Sequence, residues 1–137
     1  MGPEAKLYQK VRKNIKDISW TRIENLSSLG TPDLLGYNNS GHFFTLELKC
    51  TKGNKVRFSP HQIAFHKSHP KNTFILVEAR GPRSSKLVQY FLVPGSRIGE
   101  LVTSGLSELA ACSLTLEACG LELEACGSSS SPLQKSS

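Results

Sequence analysis

Acidic residues are few in this chain and unevenly spread. Its 137 residues hold 11 Asp/Glu against 17 Lys/Arg, a formal charge of +6; residues 1–100 carry 7 acids against 16 bases, residues 101–137 carry 4 against 1. A basic N-terminal part with so few acids points to a polyanionic partner, nucleic acid first. Long apolar runs are absent too. Nothing approaches the roughly 20 apolar residues of a membrane span, and the start of the chain alternates charge with apolar side chains, unlike a secretory signal. An intracellular protein without a membrane partner is expected. Of four cysteines, Cys50 stands alone and Cys112, Cys119 and Cys126 cluster near the C-terminus, so no disulfide framework spans the core and reduced thiols are expected. There is no Gly-rich phosphate loop and no Ser-His-Asp pattern, and no small-molecule cofactor is called for. His61, His66 and His69 are spaced along one short segment, but Pro70 ends it and nothing supplies a fourth zinc ligand. With 38% hydrophobic residues, this length fits one domain of ordinary core size.

The segment PEAKLYQKVRKNI places Leu7, Val11 and Ile15 four apart, with Pro3 suited to a first helical turn, and predicts an amphipathic helix with a basic outer face. ISWTRIEN, PDLLGY and HFFTLELKC read as strands, the last two joined by the turn sequence NNSG. Ser59 and Pro60 open a second helix, SPHQIAFHKSH, and NTFILVEA and KLVQYFLV are β-rich runs after it. The expected order is α-β-β-β-α-β-β. Trp20 and the aromatics of HFF are expected in the core.

Within TLELKC, alternation puts Thr45, Glu47, Lys49 and Thr51 on one strand face, opposite Phe44, Leu46 and Leu48. If NNSG closes a hairpin, Asp33 falls opposite Glu47 or one residue away. Like charges at a cross-strand distance of about 4.5–5.5 Å repel, and a hard divalent cation bound by carboxylate oxygens relieves them. Lys49, further along that face, can then hold a water or steady charge on a substrate. A solvated Glu47–Lys49 salt bridge is the ordinary alternative for the triplet alone.

Pro32-Asp33 followed by Glu47-Leu48-Lys49, in an α-β-β-β-α-β frame with Gly30 ahead and SPHQ opening the next helix, resembles the PD-(D/E)XK nuclease superfamily. The likeness runs over roughly residues 3–93. Within it the chain is most similar to stand-alone virus-type replication-repair (VRR-NUC) nucleases and to Holliday junction resolvases. The resemblance implies a restriction-endonuclease-like αβββαβ core, a mixed sheet flanked by helices. It also implies divalent-metal-dependent hydrolysis of DNA phosphodiesters, with Mg2+ the expected ion and Mn2+ able to substitute. For so small a domain, branched DNA cut by a homodimer is the first expectation, a nuclease of flaps, nicks or duplex ends the second, and a non-catalytic basic nucleic-acid-binding protein the reading from another class. Asp33 and Glu47 would be metal ligands, with the Leu48 carbonyl as a backbone ligand and Lys49 beside the attacking water. Gln62 matches the family glutamine, but equally completes a capping box with Ser59. Glu4 matches a first-helix metal ligand, or is an acid favoured by the helix dipole. Glu24 is the competing third acid.

Lys52, Lys55, Arg57, His61, His66 and Lys67 are candidates for phosphate contacts around the cleft, or a solvated loop. The nuclease domain is expected over residues 1–100. Beyond it, residues 101–137 form a low-complexity tail of seven-residue near-repeats. Leu109, Cys112, Leu116, Cys119, Leu123 and Cys126 recur at 3,4 spacing, the seam of an association helix, while Gly120 and Gly127 suit a frayed tail instead.

Overall fold

The computed structural model describes residues 2–23, 30–81, 87–107 and 113–127. Helix α1 (Pro3–Asn14) begins at Pro3 and buries Leu7 and Val11, as the spacing requires. Strands β1 (Ser19–Arg22), β2 (Leu34–Tyr37) and β3 (Phe43–Thr51) follow, then α2 (Pro60–Ser68), β4 (Thr73–Arg80) and β5 (Val88–Pro94). A 3-10 turn at Gly95–Arg97 leads into α3 (Ile98–Ser104), and α4 (Leu116–Glu124) is the last element. The five strands lie in the order β1-β2-β3-β4-β5. Every pairing is antiparallel except β3 with β4, which α2 connects, as a parallel pair needs a crossover. This is the mixed sheet with flanking helices expected from the sequence.

The β2–β3 turn is built by Asn38. Its Oδ1 accepts the N–H groups of Ser40 and His42, both at 3.1 Å, and its backbone N–H donates to His42 O at 3.1 Å. The resulting register pairs Leu34 with Leu46. One step further, Asp33 is opposite Glu47.

Helices cover both sheet faces. Leu7 and Val11 of α1 and Leu116, Cys119 and Leu123 of α4 pack on Phe44, Leu46, Leu48, Phe74 and Leu76. On the other face Ile75, Val77, Phe91 and Val93 meet Ile98 and Leu101 of α3, with Val56 and Leu106. Trp20 packs edge-on to Phe44 at 5.6 Å and donates its indole N–H to Ile15 O. Phe43, expected in the core, is 58% exposed and lies against the also exposed Tyr37; at the first position of β3 it has the parity of Glu47, away from the face that α1 and α4 cover.

The 3,4 seam does not stand apart from the domain. Its residues 116, 119, 123 and 126 are buried against α1 and the sheet, and Asn38 Nδ2 donates to Leu123 O at 3.1 Å and Cys126 O at 2.8 Å. Gly120, read as opposing a helix, is where α4 crosses Ile15: a Cβ there would lie 3.1 Å from Ile15 Cγ1. Leu109, Cys112 and residues 128–137 lie outside the described residues. Among the described residues, no helix is long and apolar enough to cross a membrane.

Candidate active site

The cleft lies on the α2 side of β3, where the hairpin brings Asp33 to Glu47. Asp33 sits one residue ahead of β2 and is half-buried. Its Oδ2 accepts the Leu48 N–H at 2.7 Å, which anchors the acid to β3 past the last β2–β3 pair. Because N–H and C=O of one strand residue point to the same side, the Leu48 carbonyl also faces that edge. Gly30 fixes the approach of the preceding segment: its φ is +83°, and a Cβ there would fall on the His61 carbonyl, so only glycine lets this chain pass the start of α2.

Glu47 is 3% exposed. Gln62 Nε2 donates to its Oε2 at 3.4 Å, while Oε1 is buried without a donor. The neighbouring Asp33 carboxylate supplies acceptors, so one of the two must hold a proton or a cation must enter. Burial first, and then Asp33, push the Glu47 pKa from 4.5 up to about 9; Lys49 opposes this and the charge of Glu4 adds a smaller push. The pair is thus strained electrostatically in the way a cation would relieve.

Lys49 is held from two sides. Its Nζ donates to Gln62 Oε1 at 3.0 Å and lies 4.9 Å from the centre of the Phe58 ring, a cation–π contact. Gln62 completes the capping box and also reaches the strand acid and ammonium. Ser59 Oγ accepts the Gln62 N–H at 3.1 Å and Gln62 Oε1 accepts the Ser59 N–H at 3.0 Å, a full capping box, and the same side chain bridges Glu47 and Lys49.

Glu4 is exposed in the first turn of α1. Its charge reaches Glu47, but among the described residues no three His, Cys, Asp or Glu side chains gather as a metal cluster. The structure brings Asp33 and Glu47 together, with the Leu48 carbonyl facing the same edge, and leaves Glu4 exposed at the start of α1. Glu24 lies outside the described residues.

Lys52, Lys55, Arg57, His61 and Lys67 are exposed. The loop of the first three is braced: Thr51 Oγ1 donates to Lys55 O at 2.7 Å, and Asn54 O accepts the Leu106 N–H at 2.9 Å. His66 is a correction. It is 0% exposed and its Nδ1 is 2.9 Å from Gln62 O, so it packs under α2 and cannot touch a phosphate. Burial lowers its pKa.

Two residues escaped the sequence reading. Phe58 has no pattern that marks it as a partner of Lys49. Glu78 did leave a signal, as the acid in an otherwise apolar run. It is 1% exposed and accepts from Lys10 Nζ at 2.8 Å, Tyr90 Oη at 2.9 Å and Arg80 Nη2 at 3.2 Å. Burial works against its charged form, but the bonds from Lys10 and Tyr90 outweigh that and hold its pKa below the usual value.

No protein-family model and no curated protein matches this chain. Among solved structures, it is similar to Hjc, a Holliday junction resolvase from the archaeal hyperthermophile Archaeoglobus fulgidus, at 14% identity and a TM-score of 0.49, over 85% of this chain and 96% of that one.

Proposed function

We propose that this chain is a divalent-metal-dependent DNA endonuclease. The observation that carries the reading is the Asp33–Glu47 carboxylate pair, in which Glu47 is buried with one oxygen lacking a donor, set beside an ammonium that Gln62 fixes in place. Two acids forced together in a half-dry cleft are a hard-cation site by chemistry, and a salt-bridged surface strand would have no reason to bury one of them.

Asp33, Glu47 and the Leu48 carbonyl would hold Mg2+ or Mn2+. When bound, such an ion polarises a phosphoryl oxygen and lowers the pKa of water. The chain's own part is positional and electrostatic. Lys49 stands where it can orient the attacking water and offset the negative charge that grows on the phosphorus oxygens. Gln62 keeps Lys49 at that post and steadies Glu47. Asp33, tied to the Leu48 N–H, sets the distance between the acids. Lys52, Lys55, Arg57, His61 and Lys67 supply the positive surface for the backbone.

The substrate reading is one of DNA shape: a branched junction, cut by a homodimer whose two-fold axis matches paired cuts. Flaps, nicks and plain duplex are the other substrates of the same test. Labelled four-way junction, flap, single-stranded and duplex DNA are incubated with the protein in Mg2+, Mn2+ or chelator. Cleavage that needs the metal, is lost in Asp33→Asn, and favours the junction is the expected result. Asp33→Asn cutting within a few-fold of wild type would sink the metal site.

A further inference from the structure

On the far side of β3 from Glu47 and Lys49, an open cavity of about 460 Å³ is lined by Pro3, Lys6, Cys50, Thr51, Lys52 and Arg80. We propose that it is a subsite for a backbone phosphate of the bound strand, away from the scissile bond. The proposal rests on the nuclease reading and adds Lys6 and Arg80 to its contacts, with Glu78 as the positioning residue of Arg80.

Three cations from three different elements converge on this cavity, with the first turn of α1 at its edge. Like charges do not gather without a reason. The acid beneath them, Glu78, is already committed: its Oε2 takes Lys10 and Tyr90, and its Oε1 takes Arg80 through Nε at 3.3 Å and Nη2 at 3.2 Å. A buried carboxylate thus grips one edge of the guanidinium and leaves the remaining donors of a half-exposed side chain to turn outward. That is how a planar fork is pre-set for a phosphate.

Cys50 is three residues beyond Glu47 on β3 and on its opposite face, so a phosphate in the cavity would belong to a nucleotide other than the one being cut.

Binding is measured in chelator, so that the result does not depend on cleavage. A duplex carrying a single uncharged methylphosphonate, moved along one strand, is titrated against wild type, Lys6→Ala, Arg80→Ala and Lys13→Ala. In the wild type, affinity should drop at the contacted phosphate. In Lys6→Ala and Arg80→Ala that drop should vanish, and the slope of log affinity against log salt should shallow by about 1 each; Lys13→Ala, at the other end of α1, should keep the drop. Should Arg80→Ala fail to fold, Lys6→Ala decides. Variant profiles that parallel the wild type, merely displaced, would overturn the proposal. A wild type that binds in this way yet never cuts with metal would refute the nuclease reading and leave the subsite standing.

Discussion

Lys49 Nζ and the Ser59 backbone N–H share one acceptor, Gln62 Oε1, each at 3.0 Å. A single amide thereby couples the start of α2 to the ammonium on β3, and the stability of the helix cap and the position of Lys49 can be separated by mutation. Ser59→Ala removes the cap hydroxyl and should cost about 1 kcal/mol of stability while leaving cleavage within a few-fold. Gln62→Ala should slow cleavage by about 100-fold, the scale of a misplaced catalytic group, at a similar loss of stability. Thermal melts and single-turnover rates of the two variants check this; equal rates in both would reduce Gln62 to a capping residue.

The Glu47 shift makes stability depend on pH and on metal. Its folded pKa of about 9 lies above the ordinary 4.5, so the folded state binds a proton more tightly than the unfolded chain. The stability from that proton is complete below about 4.5 and is lost as pH rises through about 9. His66, lowered from 6.5 by burial, acts with the opposite sign below that value, so the clean window runs from 6.5 to about 9. In chelator, Tm should fall across this window. Mg2+ or Mn2+ must displace the proton, so either ion should raise Tm more at the alkaline end, and Glu47→Gln should flatten both effects. A Tm independent of pH in wild type would contradict the buried protonated pair.

The hairpin and α1 were legible because their signals are local. NNSG sets a register that a two-residue period then carries to Asp33 and Glu47, and Leu7, Val11 and Ile15 define a face without reference to anything else. The docking of α4 was not legible. A 3,4 seam shows that a face is apolar but not what covers it, and here long-range bonds within the chain, from Asn38 to the Leu123 and Cys126 carbonyls, fasten it to the core. Gly120 pointed the wrong way for the same reason, since its small size serves Ile15. His66 lay among Lys67 and other polar neighbours, and nothing in that spacing told a buried ring from a surface one.

The docking of α4 predicts that the C-terminal part matters for folding. Cutting after Ser104 would strip Leu116, Cys119, Leu123 and Cys126 from the core cluster, so the truncated protein should melt far lower or fail to accumulate in soluble form. Leu123→Ala should cost about 2–5 kcal/mol. Asn38→Ala should cost about 1–3 kcal/mol by leaving buried carbonyls without their donor. Denaturant unfolding of the three proteins tests this, and a truncation with wild-type stability would return the segment to the status of an appendage.

The basic loop should show itself in salt. Lys52, Lys55 and Arg57 are exposed on a braced turn at the end of β3, so they can meet phosphates without a cost of ordering the loop first. Each phosphate neutralised on duplex DNA contributes about 0.9 to the slope of log affinity against log salt. The triple alanine variant should therefore bind more weakly at low salt, with the slope reduced by up to about 3, while its melting temperature stays near that of wild type. His66→Ala should do the reverse, lowering the melt through the lost core packing and leaving the slope as it was. If the triple variant keeps the wild-type slope, the strand runs over another surface, and the exposed His61 and Lys67 on α2 are the next residues to neutralise.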